Sequence, residues 1–249
     1  MGGGAEGFAG AVLAIVSFAT ASLAIVTFAM ASLAIASFVM TSLAMVFSAG
    51  FFIAAGLAVY DGCNGPPMLN SASMERPSAL DLAADCKAAV IVTAAGESAM
   101  PDGTEGRVKN ATTMIEAAME KGIAANDIYL DPLVFPVAVD PEYGRDCLNA
   151  IRQIRERFGP EIHITGGISN ASFGVPGRKF INEAFLRLAV EAGGDSGIMD
   201  PVQNDPAAAL APIAPGAPSQ GVAMAMEVVL GQDKDCAAYI KAWRKKVIR

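Results

Sequence analysis

Histidine is almost missing from this chain: among 249 residues there is only His163. One imidazole excludes a multi-histidine metal site, and it leaves no second histidine behind a Ser-His-Asp arrangement. His163 sits between Ile162 and Ile164 in an alternating pattern, and is expected to be a strand residue facing helices rather than a chemical group. The four cysteines, Cys63, Cys86, Cys147 and Cys236, form no CxxC pair, so neither a zinc site nor a redox motif is indicated and no metal is expected. Basic residues are outnumbered 18 to 25, a net charge of −7, so a nucleic-acid partner is excluded on electrostatic grounds. Charge of either sign is absent between Glu6 and Asp61.

That uncharged stretch contains a ten-residue repeat over residues 11–50, with Leu at 13, 23, 33 and 43 and Phe at 18, 28 and 38. The period fits no common solenoid, and there are no turn residues to separate strands. As one helix, 54 residues would run about 80 Å, against a bilayer core of about 30 Å. Three readings stay open for residues 1–60: a membrane hairpin with spans near 8–28 and 33–59, the product of a shifted reading frame, or a soluble buried helical element. A signal peptide is a poor fit, since no basic segment leads it and the apolar run is several times too long.

After Tyr60 short apolar runs alternate with amphipathic segments, the pattern of parallel βαβ units. Strands are expected at 68–71, 89–93, 128–130, 162–165 and 197–199. Helices are expected at 78–84, 106–121, 143–158 and 178–192, the second of them presenting Val108, Met114, Ile115 and Met119. Gly122, Gly159 and Gly193 stand where C-cap glycines belong. Four of the five strand ends carry an amide or a carboxylate: Asn70, Asp131, Asn170 and Asp200. Such residues also start turns and cap helices, but four on one rim point to a polar pocket at the carboxyl ends of the strands.

The runs "MLNSAS", "IYLDPLVFP", "GGISNASFGVPGRKFIN" and "GIMDP", in this order and spacing, resemble the pterin-binding methyltransferases that use methyltetrahydrofolate and a corrinoid protein, distant relatives of dihydropteroate synthase. The resemblance covers residues 51–205. It implies a (β/α)8 TIM-barrel-type pterin-binding domain of the α/β class, usually a homodimer through the barrel. It also implies a function in one-carbon metabolism: methyl transfer between 5-methyltetrahydrofolate and the cobalt of a corrinoid (cobalamin) carried on a partner protein. Asn70 and Asp131 match pterin-contact positions and Asn170 matches the residue at N5, with Ser169 helping to place it. Gly166 and Gly167 permit close approach of a flat ligand. Arg178 either binds the folate tail or stays on the surface, and Asn182 is either a support behind the site or a solvated helix position.

The sequence departs from that family in its first part: the first three barrel strands, with a strand-three aspartate, have no counterpart, and the apolar repeat stands in their place. The expected organisation is therefore an apolar helical segment at 1–60, a partial-barrel pterin-binding domain at 61–205, an Ala/Pro-rich linker at 206–220 and C-terminal helices at 221–249. Two functions compete. One is an active methyltransferase whose catalytic domain is cytoplasmic, with or without a membrane anchor at 8–59. The other is an inactive or membrane-tethered pterin-binding remnant, or a dihydropteroate synthase-like enzyme.

Overall fold

A computed structural model of the chain describes residues 53–62, 65–202, 204–210 and 219–248. The chain divides into two compact units, residues 1–59 and 60–249. Of the first, only 53–59 lie among the described residues, and they are helical. The expected span at 8–28 and most of that at 33–59 lie outside the described residues. Among the described residues, no helix is long and apolar enough to cross a membrane.

The second unit is an α/β fold built on a parallel four-stranded sheet. Its elements in chain order are β1 (Met68–Ala72), α1 (Ser78–Asp85), β2 (Ala89–Thr93), α2 (Gly103–Glu120), β3 (Ile128–Asp131), α3 (Glu142–Phe158), β4 (His163–Ile164), α4 (Arg178–Ala192), α5 (Pro206–Leu210), α6 (Gln220–Val229) and α7 (Ala237–Arg244). Sheet order follows chain order, β1-β2-β3-β4. Each crossover therefore steps one strand in the same direction, and the right-handed rule puts α1, α2 and α3 on one face. The register aligns Asn70, Ile91, Tyr129 and His163 in one row, with Leu130 opposite Ile164 and Thr93 opposite Asp131 in the next two.

The side chains alternate between the faces. One face carries Leu69, Val90, Val92, Ile128, Leu130 and Ile164, all 4% exposed or less. It is the face the helices seal, α1 against β1 and β2, α2 against β2 and β3. The other carries Asn70, Ile91, Thr93, Tyr129, Asp131 and His163. His163 thus does not face helices. Its ring stacks on Tyr129 with centroids 4.5 Å apart, and its Nδ1 lies 3.0 Å from Asp195 Oδ2. The period of two separates it from Ile162 and Ile164, and it is those two that meet the helices.

Three other expectations are corrected. The strand at 197–199 shrinks to one parallel bridge, Gly167 to Ile198, because only Ile198 makes ladder bonds before Asp200 starts a turn. On α2 the buried stripe is Arg107, Ala111, Met114, Ile115 and Ala118: Met114 and Ile115 are buried as expected, while Met119 is exposed and Val108 half-buried. Within the 206–220 stretch, Pro206–Leu210 is a helix, begun by the Asp205 carboxylate accepting from the Ala207 N–H.

Helix ends follow the glycines. Gly159 and Gly193 cap α3 and α4 with φ of 72° and 108°, a region where a side chain would be strained. The buried residues of α4 include Phe180, Ile181, Phe185, Leu188 and Ala189, the face its spacing predicts.

Candidate functional site

The strand ends build the site. Asp131 is the last residue of β3, on the face away from the helices. Its Oδ1 accepts from the Leu133 N–H at 2.8 Å. That bond holds a turn in which Leu133 takes φ +65°, rare for a side chain of its size. Asp131 is half-buried, and burial pushes its carboxyl above the usual carboxylate range, with the Leu133 N–H pulling the other way.

The next strand ends in Gly166-Gly167, and here the glycines have a spatial reason. A Cβ on Gly166 would lie 3.4 Å from Asp131 Oδ1 and 3.2 Å from Val134. A Cβ on Gly167 would lie 2.8 Å from Asn170 Nδ2, inside any tolerated contact. The Asp131 carboxylate and the Asn170 amide therefore lie over two adjacent, side-chain-free residues. Asn170 belongs to a 3-10 turn, Ile168–Ser172, and is exposed. Among the described residues its side-chain amide has no hydrogen-bond partner, and neither has that of Asn70, also exposed.

Asn70 shares the face of Asp131, two strands away and one pleat lower in the register. At about 4.8 Å between strands, that is roughly 10 Å sideways. Ser71 follows as the extra residue of a bulge, since Asn70 pairs with Ile91 and Ala72 already with Val92.

Arg178 opens α4 and reaches back over the Asn170 turn. Its Nε donates to Ser172 Oγ and its Nη2 to the Ser169 carbonyl, both at 2.9 Å, and its guanidinium stacks on Phe173 at 4.4 Å. Ser172 Oγ donates to the same Ser169 carbonyl at 3.0 Å. Two of the five guanidinium donors of Arg178 thus go to the turn, and the exposed remainder faces solvent. Ser169 contributes through its carbonyl, while its buried hydroxyl has no partner among the described residues. Asn182 is not solvated: it is 4% exposed and donates to Asn204 Oδ1 at 3.1 Å.

One residue escaped the sequence reading. Arg107 is fully buried on α2. It donates to the Gly103 carbonyl at 2.9 Å and, in a long 3.5 Å contact, to the Leu133 carbonyl, and it lies 4.8 Å over the Phe135 ring. It braces the far side of the turn that Asp131 holds. Its signal was the helical spacing to Ala111, Met114 and Ala118, which puts it on the buried stripe. The neighbouring Cys147 is no nucleophile, because burial pushes its thiol up to about 12. A cavity of about 430 Å³ is lined by Lys179, Glu183, Met199, Val202 and Asn204, the last of these the partner of Asn182.

Comparison with known proteins shows the family. The family described as "Pterin binding enzyme" matches residues 52–200. A curated relative from Eubacterium limosum, "Methylcorrinoid:tetrahydrofolate methyltransferase", is 31% identical over 194 residues, 76% of this chain; the chain spans 66% of that relative's length. With more than half of its residues matched by that family, the chain belongs to the pterin-binding enzymes.

Proposed function

We propose that the protein transfers a methyl group between methyltetrahydrofolate and the cobalt of a corrinoid carried by a partner protein. The observation that carries this reading is the placement of the Asp131 carboxylate beside Gly166 and of the Asn170 amide beside Gly167, two adjacent residues without side chains. A reduced pterin is flat, so it needs backbone without Cβ atoms beside it. It presents an edge of N–H donors, and the Asp131 carboxylate keeps Oδ2 and the spare lone pairs of Oδ1 for them. Asn70, which can donate and accept, completes the recognition of that edge from the same sheet face.

Methyl transfer from N5 makes a poor leaving group, because negative charge develops on nitrogen. An N–H donor already aimed at that atom stabilises the charge as it appears. Asn170 has such a donor in its Nδ2, which lies beside Gly167 on the local turn. Arg178 and Ser169 keep the turn in place, and the remaining donors of Arg178 stay available to the folate tail. The name of the relative makes a methylcorrinoid the donor and tetrahydrofolate the acceptor. The same groups serve both directions, since both share one transition state.

In this reading the sheet is the later part of a (β/α)8 barrel, and the corrinoid is a visiting group. The experiment is anaerobic: protein, reduced corrinoid and methyltetrahydrofolate, followed by corrinoid absorbance, and the reverse from methylcorrinoid and tetrahydrofolate. Conversion in either direction supports the proposal. No conversion together with no folate binding overturns it.

A second reading is a pterin-binding remnant without transferase activity. The observation favouring it is the four paired strands among the described residues, where a closed barrel has eight. Folate binding without methyl transfer would select it.

A further inference from the structure

The turn that carries Asn170 is gripped from the other end of the chain. Gly177, which leads into Arg178, has φ +64°. Its carbonyl accepts from the Tyr239 hydroxyl at 3.0 Å, across 62 residues of sequence. A Cβ on Gly177 would stand 2.6 Å from the Trp243 ring and 2.9 Å from the Tyr239 oxygen. Both aromatic residues lie on α7, one turn apart, and both close on this one glycine. Tyr239 is fully buried. The start of its helix is pinned by the Asp233 carboxylate, which accepts from the Ala238 and Tyr239 N–H groups at 3.0 and 2.8 Å. Burial pushes the phenol up to about 12, so it remains a donor at every working pH.

A continuous path follows: Asp233 fixes Tyr239, Tyr239 holds Gly177, Gly177 places Arg178, and Arg178 ties the Ser169 carbonyl beside Asn170. Residues 237–244 lie beyond the 52–200 matched by the family. We propose that Tyr239 and Trp243 are positioning residues for the Asn170 turn, so that α7 sets the rate of the chemical step without touching the ligand. The proposal rests on the methyl-transfer reading for its effect on rate, but not for its effect on the turn.

The test uses the full chain with Tyr239→Phe, which removes one hydroxyl and keeps the ring, and with Trp243→Leu. Amide hydrogen exchange of the peptide 166–177 reads local opening directly. A neutral hydrogen bond contributes a net factor of roughly 2 to 12, so Tyr239→Phe should raise exchange of 166–177 by about that factor. Exchange in β2 and β3 should stay at the wild-type level. The kcat should fall by the same factor while the KM for methyltetrahydrofolate holds, because an interaction acting at the transition state is lost. Trp243→Leu should raise exchange in the same peptide further.

Unchanged exchange of 166–177 in both variants would overturn the proposal. So would a rise spread equally over β2 and β3, the mark of general packing, or a rise in KM at constant kcat. If the wild-type chain transfers no methyl group, the functional reading falls, and the exchange result alone decides the grip of α7 on the turn.

Discussion

Leu130 and Asp131 are neighbours in sequence and opposites in role. Leu130 is fully buried on the helix side of β3, among Val92, Ile128 and Ile164. Asp131 points the other way, half-buried, with its carboxyl raised by the same loss of water that stabilises Leu130. The same contrast holds for the whole sheet. One face is aliphatic and sealed, while the other carries Asn70, Tyr129, Asp131 and His163 around a single buried isoleucine, Ile91. Hydrophobic burial explains the first face without reference to function. It cannot explain the second, since a partly buried carboxylate raises the energy of the fold. Local rules of stability tend to be broken at functional sites, and the polar face breaks them.

The largest expected effect comes from the sealed face. Leu130→Ala should cost about 2–5 kcal/mol of stability, the range for a large-to-small change in a packed core. Denaturant unfolding measures it. Folate affinity per folded molecule should be unchanged, and a loss of affinity in a protein of normal stability would erase the distinction between the faces.

Asn170→Ala should do the reverse. Its amide is exposed and has no partner among the described residues, so stability should move by no more than about 0.5 kcal/mol. Single-turnover methyl transfer should slow by about 10²–10³, as when one oxyanion-type donor is lost. A wild-type rate would reduce the glycine pair and its asparagine to a turn.

Asp131→Ala comes next, with its effect on affinity. Hydrogen bonds to a charged group contribute about 1.5–3 kcal/mol, so isothermal titration with methyltetrahydrofolate should show binding weakened roughly 10- to 150-fold. The contact exists in ground and transition states alike, so the rate of the bound complex should change less than the affinity.

The legibility of these groups in the sequence follows the range of the interactions. Local patterns were readable: β2 and α4 lie at the expected residues, and Gly122, Gly159 and Gly193 take positive φ at the expected helix ends. The turn between Gly166 and Arg178 was recognisable as a motif because it is contiguous. Arg107 was not, since a charged residue on a helix reads as solvated until the fold places its stripe. The sense of His163 was misread for a similar reason: alternation separates it from the isoleucines without saying which set the helices cover. The hold of Tyr239 on Gly177 spans 62 residues, and no local pattern encodes it.

The smallest and most discriminating effect concerns Asp131→Asn. Burial raises the Asp131 carboxyl in the folded protein, so the native state binds more protons than the unfolded one between the ordinary aspartate value and the raised one. Stability therefore falls as pH rises through that window and is flat above it. Asparagine keeps an oxygen for the Leu133 N–H and has no charge to desolvate. At neutral pH the Asp131→Asn protein should unfold at the wild-type midpoint or above, and its stability should lose this component of pH dependence. Binding should move oppositely. The ionised carboxylate accepts N–H groups at both oxygens, so wild-type affinity should be constant above the raised pKa and fall as pH drops through it. The variant should bind weakly across the range, because its NH2 would face the pterin's own donors. A variant that is destabilised by more than about 1 kcal/mol, a typical single-mutation loss, would show that Asp131 serves the fold and belongs with Leu130.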